Sequence, residues 1–304
     1  MKKILLVLAI LVVSFACMLS AQTTDQFTGS LLWKVSGKGL DKPSYVFGTH
    51  HLASVSFVDS VAGLRAVMDE VEQVAGEILM SDMDAAQADM MQKGAMPADQ
   101  SYKTILDEAA YNKLDDGLKS LFGAGLEQFG GFKPGMINSL VSIVIYAQLN
   151  PNFNMTKHVA IDDYIQKYAI ENEKPVLGLE TVADQIYALF DAEPLKDQAE
   201  VLACSMGHID LGKEALLKLN QYYREANLKD IYTLAFNDPN DPCPASEQAE
   251  YALNKQRNDR WLEKLPAIMT DKSTLVAVGT LHLAGEEGLL YQLSKMGYTV
   301  EAVK

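Results

Sequence analysis

Two short segments near opposite ends of the chain share a pattern that could do chemistry. Val46-Phe47-Gly48-Thr49-His50-His51 and Ala277-Val278-Gly279-Thr280-Leu281-His282 each run from an apolar stretch into Gly-Thr-x-His. The chain has only 5 histidines, so two of them ending the same motif is an informative repetition. Neutral imidazole is a common ligand for divalent transition metals and a proton carrier near neutral pH. Read alone, a lone histidine is more often a hydrogen-bonded structural residue. Paired motifs shift that balance toward one shared site containing His51 and His282. His50, adjacent to His51, should point elsewhere, and His158 and His208 read as surface or capping residues of helical stretches.

Carboxylates and a cation join the candidates. Glu77 interrupts the apolar stretch 74–80, where an unpaired charge is costly to bury. Glu180 follows the short apolar run 176–179. Arg257 and Arg260 lie in Gln256-Arg257-Asn258-Asp259-Arg260-Trp261, a predicted helix whose plain reading is a solvated face with a salt bridge.

The elements that must hold these residues follow from hydrophobic period. Alternation at Leu31, Trp33 and Val35, turns at 37–39 and 41–43, then Tyr45 and Phe47 predict two strands joined by a turn-rich loop. Apolar runs predict buried strands over 74–80, 175–179 and 274–278, and a last strand over 298–303. Helical periodicity covers most of 81–172, and returns over 195–227 and 245–265. A strand–helix–strand ending points to a parallel crossover. The fold class read from this order is α/β: a central mixed or mostly parallel sheet flanked by helices, with a large helical insertion at about 81–172 in one domain spanning 22–304. Each motif histidine then sits just past a buried strand, where open α/β sheets place their ligand sites.

Residues 1–21, with Lys2 and Lys3 before an apolar run and small residues at Ser20 and Ala21, read as a secretory signal peptide. The run is shorter than the ~20 residues a membrane-spanning helix needs. Cys17 raises a second reading, a lipid-modified first residue, although Ser14-Phe15-Ala16 before it fits that poorly. Either way the protein is expected to be exported, periplasmic or extracellular, touching membrane only through the signal sequence or a lipid on Cys17. Outside the cytoplasm the remaining Cys204 and Cys243 suggest one disulfide; the alternative is two reduced, buried thiols. A formal net charge of −14 repels phosphate backbones and excludes sequence-independent nucleic-acid binding as an expected role.

Taken together, these segments make the sequence resemble the TraB/GumN family, which also contains the TIKI metalloproteases and is more distantly similar to erythromycin-esterase and ChaN-like proteins. The resemblance rests on the opening 32–36, Gly48–Leu52, Glu77, the block 174–181 with Gln185, the block 257–261 and the closing 279–289. It extends from residue 31 to 303 in one order, with Ala284 standing where many relatives carry proline. The resemblance implies that the two Gly-x-x-His motifs meet in one site, associated in the TIKI branch with divalent-metal-dependent peptide cleavage. Carried over by position, His51, His282 and Glu77 become ligands of a divalent metal cation. Glu77, Arg257 and Glu180 become the catalytic candidates: Glu77 or Glu180 as general base, Arg257 against a developing oxyanion. The expected function is metal-dependent hydrolysis of a peptide or ester bond in a peptide, protein or small-molecule substrate. The rival readings are an envelope protein that binds a metal, haem or small ligand without turnover, and an interaction protein whose site is inactive.

Overall fold

A computed structural model describes residues 24–304, apart from the side chains at 25 and 83–86. The segment 1–21 expected to be a signal sequence, with Cys17 inside it, lies outside the described residues. Six strands form one sheet in the order β4-β3-β5-β2-β1-β6. They are β1 (Leu32–Ser36), β2 (Ser44–Thr49), β3 (Gln73–Gly76), β4 (Val176–Gly178), β5 (Thr274–Gly279) and β6 (Thr299–Ala302). The four strands β4, β3, β5 and β2 run parallel, while β1 is antiparallel to both β2 and β6. This is the α/β fold with a mostly parallel sheet that the sequence predicts. β2 and β3 are buried throughout and β5 nearly so, as expected when helices cover both faces of a parallel sheet.

Two expected details differ. The closing strand–helix–strand unit does not pair with itself: β6 runs in the same direction as β5 but joins the far edge beside β1. The strand expected over 74–80 leaves the sheet after Gly76, so Glu77 stands just beyond a strand end rather than inside it. Its backbone still meets the neighbouring chain, because Glu180 N–H donates to the Glu77 carbonyl at 2.8 Å. The side chain is thereby released from the pleat and can turn into the space above the sheet.

The helix Ile161–Glu171 packs on β3, β4 and β5. Its apolar face buries Ile161, Ile165 and Ala169, and the same helix buries two polar residues four apart, Asp162 and Gln166. Gln166 ties the chain beyond β3, accepting from Met80 N–H at 2.9 Å and donating to the Ile78 carbonyl at 2.8 Å. The helical layer extends past 81–172, because the helices Glu108–Phe122 and Leu195–Gly207 bury Leu114, Leu118, Leu202 and Met206 in one shared cluster. Among the described residues no helix is long and apolar enough to cross a membrane. Cys204 and Cys243 are joined by a disulfide with their Cα atoms 5.7 Å apart.

Candidate functional site

The carboxyl ends of four parallel strands point the same way and bring the distant motifs together. His51 follows β2, Glu77 follows β3, Glu180 lies two residues past β4, and His282 lies three past β5. Thr49 and Gly279 are paired across β2 and β5, so the two Gly-Thr-x-His motifs are neighbours in the sheet. The Thr280 hydroxyl donates to the Thr49 carbonyl at 2.7 Å and locks one motif to the other.

The glycines serve close approach rather than turning, since both backbones keep ordinary negative φ. A Cβ on Gly48 would stand 2.9 Å from Thr280 Oγ1 and 3.2 Å from its Cα. One on Gly279 would stand 3.1 Å from Glu77 Oε1, where the Gly279 N–H already donates to that oxygen at 2.7 Å.

Arg257 is the hub of the buried half of the site. It lies at the start of the helix Gln256–Asp271, directly after a π-helical turn over Tyr251–Lys255. Such turns are rare and often mark functional sites. Nε donates to both oxygens of Glu180 at 3.0 and 3.1 Å. Nη2 donates to Glu180 and to Glu77. Nη1 donates to the Leu253 carbonyl at 3.2 Å and to His282 Nε2 at 2.9 Å. A guanidinium has five N–H donors, and all five are spent. Arg257 in this arrangement therefore holds two carboxylates and an imidazole in place, with no donor left for an oxyanion. Glu180 gains a definite part as its two-oxygen partner. Arg260, three residues on, is about one-third exposed and bonds Asp184 at 2.8 Å, the surface pairing expected for both arginines.

His282 is buried, and its protonation follows from its neighbours. Arg257 can only donate, so His282 Nε2 must carry a lone pair, and the Nδ1 proton goes to Asn258 Oδ1 at 2.8 Å. Burial pushes the imidazole pKa down to about 3, so it is neutral. Asn258, fully buried, is held in turn by Asn254 Oδ1 and the carbonyls of His282 and Glu287. Glu77 accepts from Arg257, from Gly279 N–H and from Gln185 Nε2, the last at 3.1 Å. Burial alone would raise its pKa, but Arg257 and the neighbouring histidines outweigh it and hold the carboxyl at about 2.

His51 is different: its side chain remains 63% exposed while its Nδ1 sits 2.8 Å from Asp162 Oδ2. The other Asp162 oxygen accepts from the Thr49 hydroxyl at 2.6 Å, so the first motif builds its own anchor for the carboxylate. Asp162 is the chief cause that pushes the His51 pKa up to about 9, with Glu77 adding a smaller pull. Its Nε2 has no protein hydrogen-bond partner among the described residues and sits on an exposed ring where a ligand can reach it, whereas His50 Nε2 is buried. His50 indeed points elsewhere, between Tyr146 and Tyr223, with burial holding it neutral at about 4. His158 lies in a loop, not a helix, and its Nε2 meets the His51 carbonyl at 2.6 Å. His208 joins two helices beside the disulfide, with Nδ1 3.6 Å from Cys243 Sγ.

The family model of TraB/PrgY/gumN matches residues 31–302. The chain belongs to the TraB/PrgY/gumN family. Neither a search of curated proteins nor one of solved structures found a match.

The metal that the family resemblance implies can be tested against this member's donor set. His282 has spent both ring nitrogens, and a cation at its Nε2 would have to displace Arg257. Glu77 keeps about one of roughly four carboxylate lone-pair directions. His51 feels both groups electrostatically across the crevice. Among the described residues, however, the one group of three metal-type ligand atoms within 4.8 Å of one another is Cys204, His208 and Cys243. There the sulfurs are bonded to each other and are not thiolates. In this arrangement His51, His282 and Glu77 do not fit a three-ligand cation site.

Sequence reading did not single out Asp162, and it gave Asn258 and Gln185 no role. The signal for Asp162 was available in principle: Asp162 and Gln166 flank the apolar stripe Ile161, Ile165 and Ala169 at helical spacing. Asn258 offered only its place next to Arg257.

Proposed function

We propose that the protein is a hydrolase of a carbonyl-centred bond, peptide or ester, in which His51 carries the proton. The observation that supports this reading most is the His51–Asp162 pair, an exposed imidazole oriented by a buried carboxylate that the Thr49 hydroxyl also holds. With Nδ1–H turned to Asp162, the neutral form of His51, which grows as pH rises toward 9, takes a proton from water at Nε2 as the oxygen attacks the carbonyl carbon. The resulting imidazolium, stabilised by Asp162, then returns that proton to the departing nitrogen or oxygen. The Arg257–Glu77–Glu180–His282 cluster acts as the rigid wall opposite, keeping the two motif loops in register.

A panel of fluorogenic peptides and aryl esters, offered to the purified mature protein with and without a chelator, tests the proposal. Turnover that survives the chelator and is lost in His51→Ala is the expected result. Turnover abolished by the chelator and restored by a divalent ion would transfer the chemistry to a cation held by His51, His282 and Glu77. No turnover, with a Soret band on adding haem, would favour the binding protein instead.

A further inference from the structure

Beside His51 the surface opens into a cleft of about 650 Å³ between the loop after β2, the loop 150–159 and the helix Ile209–Arg224. The cleft and the candidate site share structure: Leu52 lines it directly, and His158 on its wall holds the His51 carbonyl. Its chemistry is unlike the rest of this acidic molecule. The chain carries 40 Asp and Glu, yet none lines this cleft, whereas Lys157 and Arg224 both do. Neither of these cations takes part in any of the ion pairs formed among the described residues. Of the acids next to lining residues in the chain, Asp59 is paired with Arg65 and Glu225 accepts from Gln221.

Its remaining surface is aromatic and amide-rich. Phe57 and Tyr223 lie with ring centroids 4.9 Å apart, and Tyr146 and Phe153 with theirs 5.0 Å apart, giving two aromatic pairs on the lining. Asn152 and Asn220 add side-chain amides that can donate to and accept from a peptide-like group. Below them His50 packs against Tyr146 and Tyr223, with the Asn220 side chain beside its ring. A concave site with aromatic walls, a few polar groups and an uncompensated positive charge selects an anion that also carries an apolar ring.

We propose that this cleft recognises an aryl-bearing carboxylate, the ring seated among Phe57, Tyr146, Phe153 and Tyr223 and the carboxylate met by Lys157 and Arg224. Two sources share that chemistry: the C-terminal end of a peptide with an aromatic residue, and a free small aromatic acid. Calling the ligand a substrate rests on the hydrolase reading above; its binding does not.

Calorimetric titration of the full mature protein with N-acetyl-Ala-Phe, its C-terminal amide and 3-phenylpropionate tests the assignment. The free-acid peptide should bind at least tenfold more tightly than the amide. Lys157→Gln and Arg224→Gln should each weaken it about threefold, as for exposed charge pairs, and together remove most of the preference. The amide affinity and the melting temperature should stay unchanged. Phenylpropionate binding as tightly as the peptide identifies the small acid as the recognised unit, and much weaker binding identifies the peptide end. Equal affinity for acid and amide, no binding of either, or a preference that survives in the double variant would overturn the proposal. Carboxylate-selective binding with no hydrolysis of any peptide or ester would leave the cleft standing and remove the hydrolase.

Discussion

Asp162→Asn isolates the charge of the His51 anchor without changing its shape. Asp162 and His51 approach to 2.8 Å, with the carboxylate side chain 11% exposed and the imidazole 63% exposed. Opposite charges about 4 Å apart attract by about 1 kcal/mol in water and about 4 kcal/mol at an effective dielectric of about 20. Solvent reaches His51, so the lower part of that interval applies, and the imidazole pKa should fall by about one to two units. If neutral His51 is the base, kcat/KM of the wild type rises with pH along a limb displaced upward from an ordinary histidine, toward about 9. In Asp162→Asn that limb should move down by about one to two pH units, while the plateau rate drops by about 10²- to 10⁴-fold because the imidazolium loses its counter-charge. The assay is the pH dependence of turnover on the best substrate of the panel, with near-ultraviolet circular dichroism confirming the fold. An unchanged limb with an unchanged plateau would refute the role given to the pair. A lowered rate with an unmoved limb would show that the titrating group is not His51.

Other expectations concern the buried cluster, the pH response and the disulfide. Arg257→Met leaves Glu77 and Glu180 buried without their cation and should cost about 3–5 kcal/mol in urea unfolding, with Glu180→Gln added to it recovering part of the loss; a loss under 1 kcal/mol would deny the hub. His50 and His282 are neutral in the fold, with pKa values lowered to about 4 and about 3, so the unfolded chain binds the extra protons below the ordinary value of 6.5. Stability should therefore fall as pH drops from 6.5 toward 4, by about 1.4 kcal/mol per pH unit for each histidine, and Glu77 steepens the fall below 4.5. His51 has the opposite sign: its pairing contributes fully below 6.5 and is lost as pH rises through about 9. Urea midpoints across these intervals check both, and a flat profile between pH 6.5 and 4 would count against buried neutral histidines. Cys204→Ser should lose about 4 kcal/mol under oxidising conditions, given a sequence separation of 39. In reductant it should match the wild type.

Much of the fold and half of the site were legible because they depend on local pattern. Continuous apolar runs mark strands that helices cover on both faces, which is why β3, β4 and β5 could be placed, and His51, Glu77, Glu180 and His282 sit past the ends of β2 to β5. Gly-Thr-x-His, repeated once, pointed to one shared site, and the structure sets its two copies on adjacent parallel strands. The single Glu inside an apolar run announced a partner for a buried charge, and Arg257 is that partner.

What the pattern could not carry was the direction of each lone pair. His51 and His282 end the same motif, yet one faces solvent on a carboxylate anchor and the other lies buried between a guanidinium and an amide. Asp162 reaches His51 from 111 residues away, and Asn258 reaches His282 from 24. Arg257 and Arg260 are three apart on one helix, but a preceding π-helical turn and the depth of the crevice make one a buried hub and the other a surface pair. Residue types and strand ends are properties of short stretches of chain, so the sequence determined which groups would gather. Hydrogen-bond partners come from whichever segment packs alongside, and only the tertiary structure decided which nitrogen each histidine had left to use.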